Sequence, residues 1–531
     1  PVILKNARTY IDKNNFKVIK QVSLPFVIAA AYLLIVYLNA ASPPISRDAV
    51  YYHLFLPKIY LKESRIITIS ENIYSFFPAY WGMFCSFLLA ISNDVIPKLI
   101  QALFLVLNFF LIKETAKALF PNIKPFYGLT AGLIFLTAPT VTKTAGWAYL
   151  DTGLAFYCLL SLYGLIRFYN EKENVFYYLS AVSMGFALGM KYSAFLWFIC
   201  LSLFILEGEG KISRFFINYL KWAAISFIIA SPFYLRNYLA TKNPFFPFLY
   251  DMFGSDNLGL EKLDLIMLYF KSYGKGIDFK SLVLLPYRIF FEADFAVAER
   301  FDGKISLLFM LAMAGIFRIR QIVKFKSLIY IPIIYALLWF LMSQQIRFLM
   351  PVLGLLSVIS GVYLMKLDKK IINCIVMVAG ALYLYYPLTD FLAIKPYRFF
   401  FYKENESEFL SRNITIYPVF EYINENLPLD SKIMLLNVGP AGYYIDRALY
   451  QESIFEDYTF THKLGTSQQE LLSFLKEKNI NYLLTDEAFL KTYLRPRLSA
   501  SQAENLKEFR LNNLSPLFRY RSLVLYKIIS I

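Results

Sequence analysis

Histidine and cysteine are scarce in this 531-residue chain, which has two histidines, His53 and His462, and four cysteines. So few histidines exclude a histidine-rich metal centre. The cysteines all lie in apolar stretches and the polar C-terminal part has none, so no disulfide framework is expected. A divalent cation bound by carboxylates, Mg²⁺ or Mn²⁺, stays open as a cofactor.

Acidic residues are also few, because 38 Asp and Glu stand against 54 Lys and Arg, for a net charge of +16. Such an excess can indicate a nucleic-acid partner. Here, however, the basic residues are scattered between apolar runs and are not gathered on one polar segment. Membrane topology explains this distribution better, and we expect no nucleic-acid binding.

Apolar residues make up 58% of the chain and aromatic residues 18%, which is too apolar for an ordinary soluble protein. The apolar residues fall in runs of about 17–25, long enough to cross a bilayer. We therefore predict an all-α polytopic membrane domain of about eleven transmembrane helices. The predicted spans are 21–40, 95–112, 125–143, 152–168, 175–190, 192–207, 217–235, 304–318, 327–343, 347–365 and 371–388.

A further apolar stretch, 76–92, decides the orientation of the chain. If it lies at the membrane surface, alternate short connections and the N-terminal segment 1–20 collect the basic residues, whereas the opposite connections hold only Lys143, Lys191 and Arg347. The positive-inside rule then places the N-terminus in the cytoplasm. We predict a multi-pass protein of a prokaryotic plasma (inner) membrane with outer juxtamembrane helices.

Three polar regions lie outside in this topology: the first loop (41–94), the long loop (237–303) and a C-terminal domain. We predict two domains, a transmembrane domain at 1–388 and the C-terminal domain at 389–531. Within 417–531, helical patterns in "YPVFEYINEN" and "SQQELLSFLKEK" alternate with strand patterns in "KIMLLNV" and "NYLLT". This alternation predicts a small soluble α/β domain, which either binds an acceptor or serves as an assembly module.

The first loop begins with "SPPISRDAVYYHLFLPKIYL", residues 42–61. Helical spacing places Asp48 on one face with aromatic residues, as expected for a helix in the membrane interface. An acidic residue there can simply complement a helix dipole. Its position among aromatics also suits a base close to the membrane surface.

More charged residues stand at the predicted outer ends of spans. Asp151 lies in "KTAGWAYLDTGLAF", Lys191 in "ALGMKYSAF" and Arg347 in "SQQIRFLMP", while Arg236 and Asn237 begin a further connection. Helix capping by Asp151 and snorkelling by Lys191 are the simpler explanations. Together, however, these groups suit a substrate that is half lipid and half anion. Transfer of a sugar from a polyprenyl phosphate needs cations at the phosphate and a base for the acceptor hydroxyl.

Several motifs occur in a fixed order before the soluble tail: "RDAVYYHLFLPKIYLKESRI", "GWAYLDTGLAFY", "GFALGMKYSAF", "LRNYLATKNPFFP", "RFDGKIS" and "QQIRFLMP". In this order they resemble the polyprenyl-phosphate-sugar-dependent glycosyltransferases of the GT-C superfamily. Within it, they are similar to the protein O-mannosyltransferase-like and aminoarabinose-transferase-like enzymes (glycosyltransferase family 39-like). The resemblance implies that Asp48 is the catalytic base and that Asp151 assists it. Many members carry an acidic pair in the first loop, whereas Arg47 and Ala49 flank Asp48 here, which favours a base that works without metal.

We therefore predict a membrane glycosyltransferase that moves a sugar from a polyprenyl-phosphate donor to a hydroxyl of a glycan, lipid or protein, with inversion. The resemblance implies that Lys191 and Arg347 hold the donor phosphate, and we predict that Arg236 joins them. Substrate lining is predicted for Tyr51, Tyr52, His53 and Asn237. A transporter or flippase of a lipid-linked glycan is the alternative, although such proteins tend to carry internal repeats and midplane charges. A third reading is a GT-C-like binding factor without catalysis.

Overall fold

A computed structural model describes residues 23–254, 259–319, 324–439 and 442–529. Within these ranges the chain forms a large helical bundle, followed by a small sheet with helices on both faces. The predicted combination of a helical domain and a C-terminal α/β part is therefore confirmed in outline. The basic N-terminal segment 1–20 lies outside the described residues.

The bundle and its loops contain eighteen α-helices within the described ranges. In chain order they are α1 (Leu24–Ala40), α2 (Phe55–Lys62), α3 (Tyr80–Ile91), α4 (Val95–Leu119), α5 (Pro125–Leu136), α6 (Pro139–Ala145), α7 (Asp151–Glu171), α8 (Asn174–Met190), α9 (Ala194–Glu209), α10 (Ile212–Thr241), α11 (Tyr250–Phe253), α12 (Leu260–Lys271), α13 (Phe279–Phe291), α14 (Met310–Ile319), α15 (Ser327–Phe340), α16 (Met350–Leu364), α17 (Lys369–Ile394) and α18 (Pro396–Phe401).

Five helical stretches of the described chain are long and apolar enough to cross a membrane: α4, α7, α10, Ile346–Leu364 and α17. Six shorter apolar helices of 10–17 residues accompany them. The chain is thus a multi-pass membrane protein. The number of eleven spans is not confirmed by these lengths and stays a prediction, as does the orientation.

The predicted third span, 125–143, is wrong as one continuous helix, because the chain breaks into α5 and α6. Ala138 between them is extended, with ψ of 113°. Pro139 explains the break, since proline has no N–H to donate and disfavours helical geometry in the residue before it. Two predicted boundaries are also too early, because α10 runs to Thr241 and α17 to Ile394.

Helix α3 lies within the stretch 76–92, whose position decides the predicted orientation. Its 12 residues give a length of about 18 Å, against about 30 Å for the hydrocarbon core. Asp48 and Tyr149 are in hydrogen-bond contact, so an even number of crossings separates them. The predicted spans between them, α4 and the α5–α6 pair, already make two crossings, so the predicted topology leaves α3 at the surface.

Helices α7 and α8 form an antiparallel hairpin that brings the start of one beside the end of the other. Gly164 permits their close approach, because a Cβ there would lie 2.7 Å from the carbonyl oxygen of Phe176. The hydroxyls of Ser161 and Ser180 are 3.0 Å apart across the same contact. Small residues and interhelical hydrogen bonds are what hold helices together in lipid.

The C-terminal part combines six helices with a five-stranded sheet in the order β2-β1-β3-β5-β4. The first three strands pair in parallel, and β5 pairs antiparallel with both β3 and β4. The helices are α19 (Glu406–Asn413), α20 (Tyr417–Asn426), α21 (Tyr458–Thr466), α22 (Gln468–Glu477), α23 (Glu487–Phe489) and α24 (Ala500–Asn513), and the strands are β1 (Lys432–Leu436), β2 (Ala448–Tyr450), β3 (Tyr482–Asp486), β4 (Leu514–Tyr520) and β5 (Leu523–Ile528).

Strand β1 shows why this sheet is covered on both faces. Ile433 and Leu435 point into one apolar cluster, and Met434 and Leu436 into the other. A strand that is buried on both faces has a continuous apolar sequence, and "KIMLLNV" has such a sequence. The sheet therefore has its own two-sided core.

A buried ion pair joins the long loop to the C-terminal part. Lys262 of α12 pairs with Glu452, and their side chains are only 7% and 1% exposed. We expect Lys262→Met to lower the free energy of unfolding by about 3–5 kcal/mol, because it leaves the Glu452 carboxylate buried without its cation. Thermal unfolding in detergent measures this. The double variant Lys262→Met/Glu452→Gln should recover part of the loss, and a larger loss in the double variant would contradict the explanation.

Candidate active site

The first loop carries Asp48 at the start of a short π-helical turn, Ala49–His53, which runs into α2. Its hydrogen bond from Leu54 N to Ala49 O measures 2.8 Å. The predicted regular α-helix across this stretch is therefore wrong at its first turn. π-turns are rare and frequently occur at functional sites.

Lys98, in the first turn of α4, holds the elbow that leads into this turn. The side chain is buried, and its ammonium donates to the carbonyl oxygens of Asn39 (3.2 Å), Ser42 (2.6 Å) and Pro43 (3.3 Å). Three carbonyl oxygens stabilise a charge that would be costly in an apolar bundle. The elbow, and with it Asp48, is thereby fixed relative to α4.

The Asp48 carboxylate is held by two donors from different parts of the chain. Arg347 Nη1 lies 2.5 Å from Asp48 Oδ2, and Tyr52 donates its hydroxyl to the same oxygen at 3.1 Å. The backbone N–H of Asp48 donates to the Tyr149 hydroxyl at 3.2 Å. Gln345 accepts from Arg347 Nε at 2.7 Å and so fixes the guanidinium.

A second carboxylate and cation pair lies at the open end of the α7–α8 hairpin, where α7 begins and α8 ends. Lys191 Nζ donates to Asp151 Oδ1 at 2.7 Å and lies 4.3 Å from the centre of the Phe348 ring. The side chain of Asp151 is 2% exposed and that of Asp48 is 18% exposed. Asp48 is therefore the carboxylate that a substrate can reach, and Asp151 is the one that holds Lys191.

Burial and neighbouring charges set the protonation states here. Burial alone raises the pKa of the Asp48 carboxyl, but the charge and hydrogen bond of Arg347 outweigh it and hold that pKa below its ordinary value. Burial lowers the pKa of His53 to about 3, so the imidazole is neutral. Burial also lowers the pKa of Lys191, against the opposing effect of Asp151.

These groups face a cavity of about 780 Å³. Its wall is rich in aromatic residues, and its described charged residues beside Asp48 are all cations except Asp302. This size suits a ligand with an apolar body and a few polar groups. The aromatic lining includes Tyr52, Tyr74, Phe77, Trp81, Trp147, Tyr149, Tyr192, Tyr269, Tyr273 and Phe348, and the cations are Arg47, Lys143, Lys191, Lys271 and Arg347.

The structure brings most of the predicted site residues together. Asp48, Tyr52, His53, Lys191 and Arg347 line this cavity, and Asp151 is bound to one of them.

Three predicted residues are placed elsewhere. Tyr51 points to the C-terminal part, where its hydroxyl donates to Glu452 O. Arg236 and Asn237 are not in the cavity wall: Arg236 donates to Phe77 O at 3.2 Å, and the Asn237 amide contacts Tyr192 at 3.0 Å. The lining role of Tyr51 and Asn237 is therefore corrected, because their polar groups form hydrogen bonds in the packing of the first loop. The phosphate role of Arg236 stays a prediction, because its Nε and Nη1 are buried without a hydrogen bond within the described residues.

Sequence reasoning missed three residues of this site. Tyr149 stands two positions before Asp151 in a stretch chosen for its carboxylate alone. Lys98 is a single lysine in the first turn of an apolar span, a position that signals a buried partner. Lys143 lines the cavity and pairs with Asp390 at 2.9 Å.

A metal ion does not fit these residues well. Within the described ranges, no group of three or more His, Cys, Asp or Glu side chains is placed to hold one. Asp48 and Asp151 each already face a cation supplied by the chain. Divalent ions prefer several oxygen ligands, which this arrangement does not offer.

Solved structures share this fold over nearly the whole chain. A crystal structure of ArnT from Cupriavidus metallidurans bound to undecaprenyl phosphate matches with a TM-score of 0.59 and 13% identity, covering 95% of this chain and 98% of that one. The Archaeoglobus fulgidus oligosaccharyltransferase in its apo form matches with a TM-score of 0.54 and 14% identity, covering 94% and 74%. AglB from the same organism, in complex with an inhibitory peptide and a dolichol-phosphate, matches with a TM-score of 0.53 and 13% identity, covering 94% and 73%.

The chain therefore shares the fold of ArnT and of the archaeal oligosaccharyltransferase, which agrees with the resemblance found in its sequence. No family model matches the sequence, and no curated protein matches it at a significant level. At 13–14% identity, these similarities establish the fold, and the activity has to be argued from the site.

Proposed function

We propose that this protein transfers a sugar from a polyprenyl-phosphate donor to an acceptor hydroxyl, with Asp48 as the base. The observation that carries the proposal is the reachable Asp48 carboxylate in direct contact with Arg347 on the wall of one aromatic cavity. The similar ArnT structure holds undecaprenyl phosphate, and the similar AglB structure holds a dolichol-phosphate. A donor of this chemical class combines the lipid tail and the anion that the cavity suits.

The donor phosphate binds between Arg347 and Lys191. Both cations line the cavity, and Phe348 lies against both of them. Charge-assisted hydrogen bonds from a guanidinium to phosphate are strong and can be bidentate. The same cations stabilise the negative charge that develops on the phosphate when its bond to the sugar breaks.

Donor binding also activates the base. In the free protein, Arg347 lowers the pKa of Asp48 and so weakens it as a proton acceptor. Phosphate competes for the same guanidinium, and its own negative charge then faces the carboxylate. Both effects raise the pKa of Asp48 towards the range in which a general base works well.

The reaction is one displacement. The acceptor hydroxyl attacks the anomeric carbon from the side opposite the phosphate, its proton passes to an Asp48 oxygen, and the bond from carbon to phosphate oxygen breaks. Polyprenyl phosphate leaves with the bonding electrons, and the anomeric configuration inverts. Asp151 keeps Lys191 in place, since its carboxylate is buried.

The acceptor is a hydroxyl of a glycan, lipid or protein, and the reaction takes place on the outer face of the plasma membrane, towards which the long loop and the C-terminal domain 389–531 project. The decisive test is sugar transfer by the purified protein from a panel of polyprenyl-phosphate sugars to each acceptor class. Transfer from one donor supports the proposal. Movement of a lipid-linked glycan across proteoliposomes without transfer would replace it with a transporter.

We expect chelation of divalent ions to leave the rate of transfer unchanged. The physical reason is that Arg347 and Lys191 supply the positive charge that a metal supplies elsewhere. Rates are measured after dialysis against EDTA, with and without added Mg²⁺ or Mn²⁺. A loss of activity that Mn²⁺ restores would contradict this expectation and make a divalent ion a cofactor.

A further inference from the structure

The C-terminal part forms hydrogen bonds with the first loop at the turn that carries Asp48. Tyr51, the neighbour of Tyr52 in that turn, donates its hydroxyl to Glu452 O at 3.0 Å and accepts a hydrogen bond from Ile454 N at 3.1 Å. The Tyr51 side chain is buried. Both bonds come from the backbone of one short stretch, 452–454, which we call the clamp segment.

The clamp segment also supports this turn indirectly, through the chain around Ile73. Ser453 N donates to Glu71 O at 2.8 Å, and Ser453 Oγ accepts from Ile73 N at 2.8 Å. The next residue, Tyr74, stacks on the ring of Tyr52 with 4.2 Å between ring centres. The clamp segment therefore supports Tyr52 both through its neighbour in the chain and through its stacking partner.

Ile454 adopts a backbone conformation that its side chain disfavours. Its φ is +71°, in the left-handed region, where a β-branched residue is an outlier. Such a conformation persists only where the surroundings hold it, and it tends to mark functional positions. Here it aims the N–H at Tyr51 while the side chain packs against the apolar cluster around Ile73, Phe76 and Leu263.

The carboxyl edge of the parallel strands faces the first loop. Strand β1 lies between β2 and β3 and is parallel to both, and the carboxyl end of a strand at such a switch point is where α/β sheets bind ligands. The chain that follows β1 instead contacts α2, since Lys58 Nζ donates to Tyr443 O at 2.7 Å and to Asp446 at 2.8 Å. This edge therefore serves to dock the catalytic loop.

We propose that Tyr51 and Ser453 are positioning residues, through which the C-terminal part holds the Tyr52 hydroxyl on Asp48 and keeps that carboxylate fixed at the cavity wall. The inference rests on the proposed function, in which Asp48 is the base. A hydrogen bond weakens steeply as its geometry departs from linear, so a loosened turn weakens the Tyr52 contact. The C-terminal part is then a component of the catalytic site, although none of its described residues lines the cavity.

The first test is Tyr51→Phe, which keeps the ring and removes both hydrogen bonds of the hydroxyl. We expect kcat to fall about tenfold with the KM for the donor unchanged. The acidic limb of the pH profile of kcat/KM should move to higher pH, because Asp48 loses part of what stabilises its charged form. The titratable or charged groups that act on Asp48 are Arg47, Tyr52, His53, Tyr74, Tyr149, Lys191 and Arg347.

The double variant Tyr51→Phe/Tyr52→Phe tests whether Tyr51 acts through Tyr52. Residues that act through one another give non-additive effects. Tyr51→Phe should therefore cost much less in a Tyr52→Phe background than in the wild type. Additive losses would overturn the proposal.

A second readout needs no turnover. Carbodiimides react with protonated carboxyl groups, so the pH midpoint for labelling of Asp48, read by peptide mass spectrometry, follows its pKa. We expect a higher midpoint in Tyr51→Phe, and a smaller rise in the same direction in Ser453→Ala. Unchanged midpoints in both variants would overturn the proposal even if the wild type transfers no sugar, whereas absence of transfer alone would overturn only the proposed function.

Tyr526→Phe is the matched control. Its hydroxyl donates to Glu487 at 2.9 Å within the C-terminal part, so the variant removes a phenol hydrogen bond from the same domain without touching the clamp segment. Its kcat and labelling midpoint should equal those of the wild type. Equal losses in Tyr526→Phe and Tyr51→Phe would reduce the effect to general destabilisation of the domain and overturn the positioning role.

Discussion

Asp48→Asn is expected to lower the rate of sugar transfer by about 10²–10⁴-fold, the usual contribution of a general base. Asparagine keeps the shape of the side chain but cannot take the acceptor proton at neutral pH. Donor binding should be retained or tightened, because Arg347 loses the carboxylate that competes with phosphate and keeps Gln345 as a partner. Transfer and donor binding are measured in parallel on purified protein.

Glu171→Gln is the matched control for this variant. It also neutralises a carboxylate in an ion pair, with Arg167, but at the far end of α7, about 30 Å from Asp151. Its rate should equal that of the wild type. If Asp48→Asn also retained the wild-type rate, Asp48 would return to the role of a residue at the start of a helical turn.

Arg347→Gln is expected to raise the KM for the donor about 10–100-fold, because hydrogen bonds to a charged group contribute about 1.5–3 kcal/mol. Arg347→Lys keeps the charge but loses the planar fork, so its KM should lie between those of the wild type and Arg347→Gln. Equilibrium binding of a polyprenyl phosphate separates this effect from catalysis. Unchanged affinity in Arg347→Gln would assign the phosphate to Lys191 alone.

The pH profiles test whether donor binding takes Arg347 away from Asp48. The limb of kcat/KM reports the free protein and that of kcat the bound complex. Since the pKa of Asp48 is lowered in the free protein, the acidic limb of kcat/KM should lie at lower pH than that of kcat. In Arg347→Gln the limb of kcat/KM should rise towards that of kcat. Coinciding limbs in the wild type would show that Arg347 stays on Asp48 throughout.

Much of the site could be predicted because its residues stand where apolar runs end. Asp48, Asp151, Lys191 and Arg347 all begin or end helices on one side of the bundle. A charge at such a position is costly unless it has a partner or a function, so each one is informative in a sequence. What the sequence could not supply is which carboxylate faces which cation.

Residues used in packing were harder to separate from residues used in binding. Tyr51 and Tyr52 are adjacent and chemically identical, yet one faces the C-terminal part and the other Asp48. The reason is the π-turn, which shifts the direction of each side chain relative to a regular α-helix and leaves no clear signal in the sequence. Asn237 was misassigned because α10 continues to Thr241.

In the C-terminal part, helices α20 and α22 and strands β1 and β3 lie where the sequence patterns predicted them. The hairpin β4–β5 was missed. It carries Pro516 next to a register shift and turns at Arg521, with φ of +53°, where Asn or Gly is the usual signal. Its pairing partners therefore became visible only in three dimensions.

The contact between Asp48 and Arg347 joins residues 299 positions apart, and this separation has a consequence for biosynthesis. A ribosome adding roughly 5–20 residues per second needs about 15–60 s to reach Arg347 after Asp48 has been made. During that interval the nascent chain can close the Asp151–Lys191 pair, which spans 40 positions, but the proposed phosphate site still lacks its guanidinium. The proposed catalytic site is therefore complete only near the end of membrane insertion, and we expect a chain truncated before residue 347 to be inert however well its first helices are inserted.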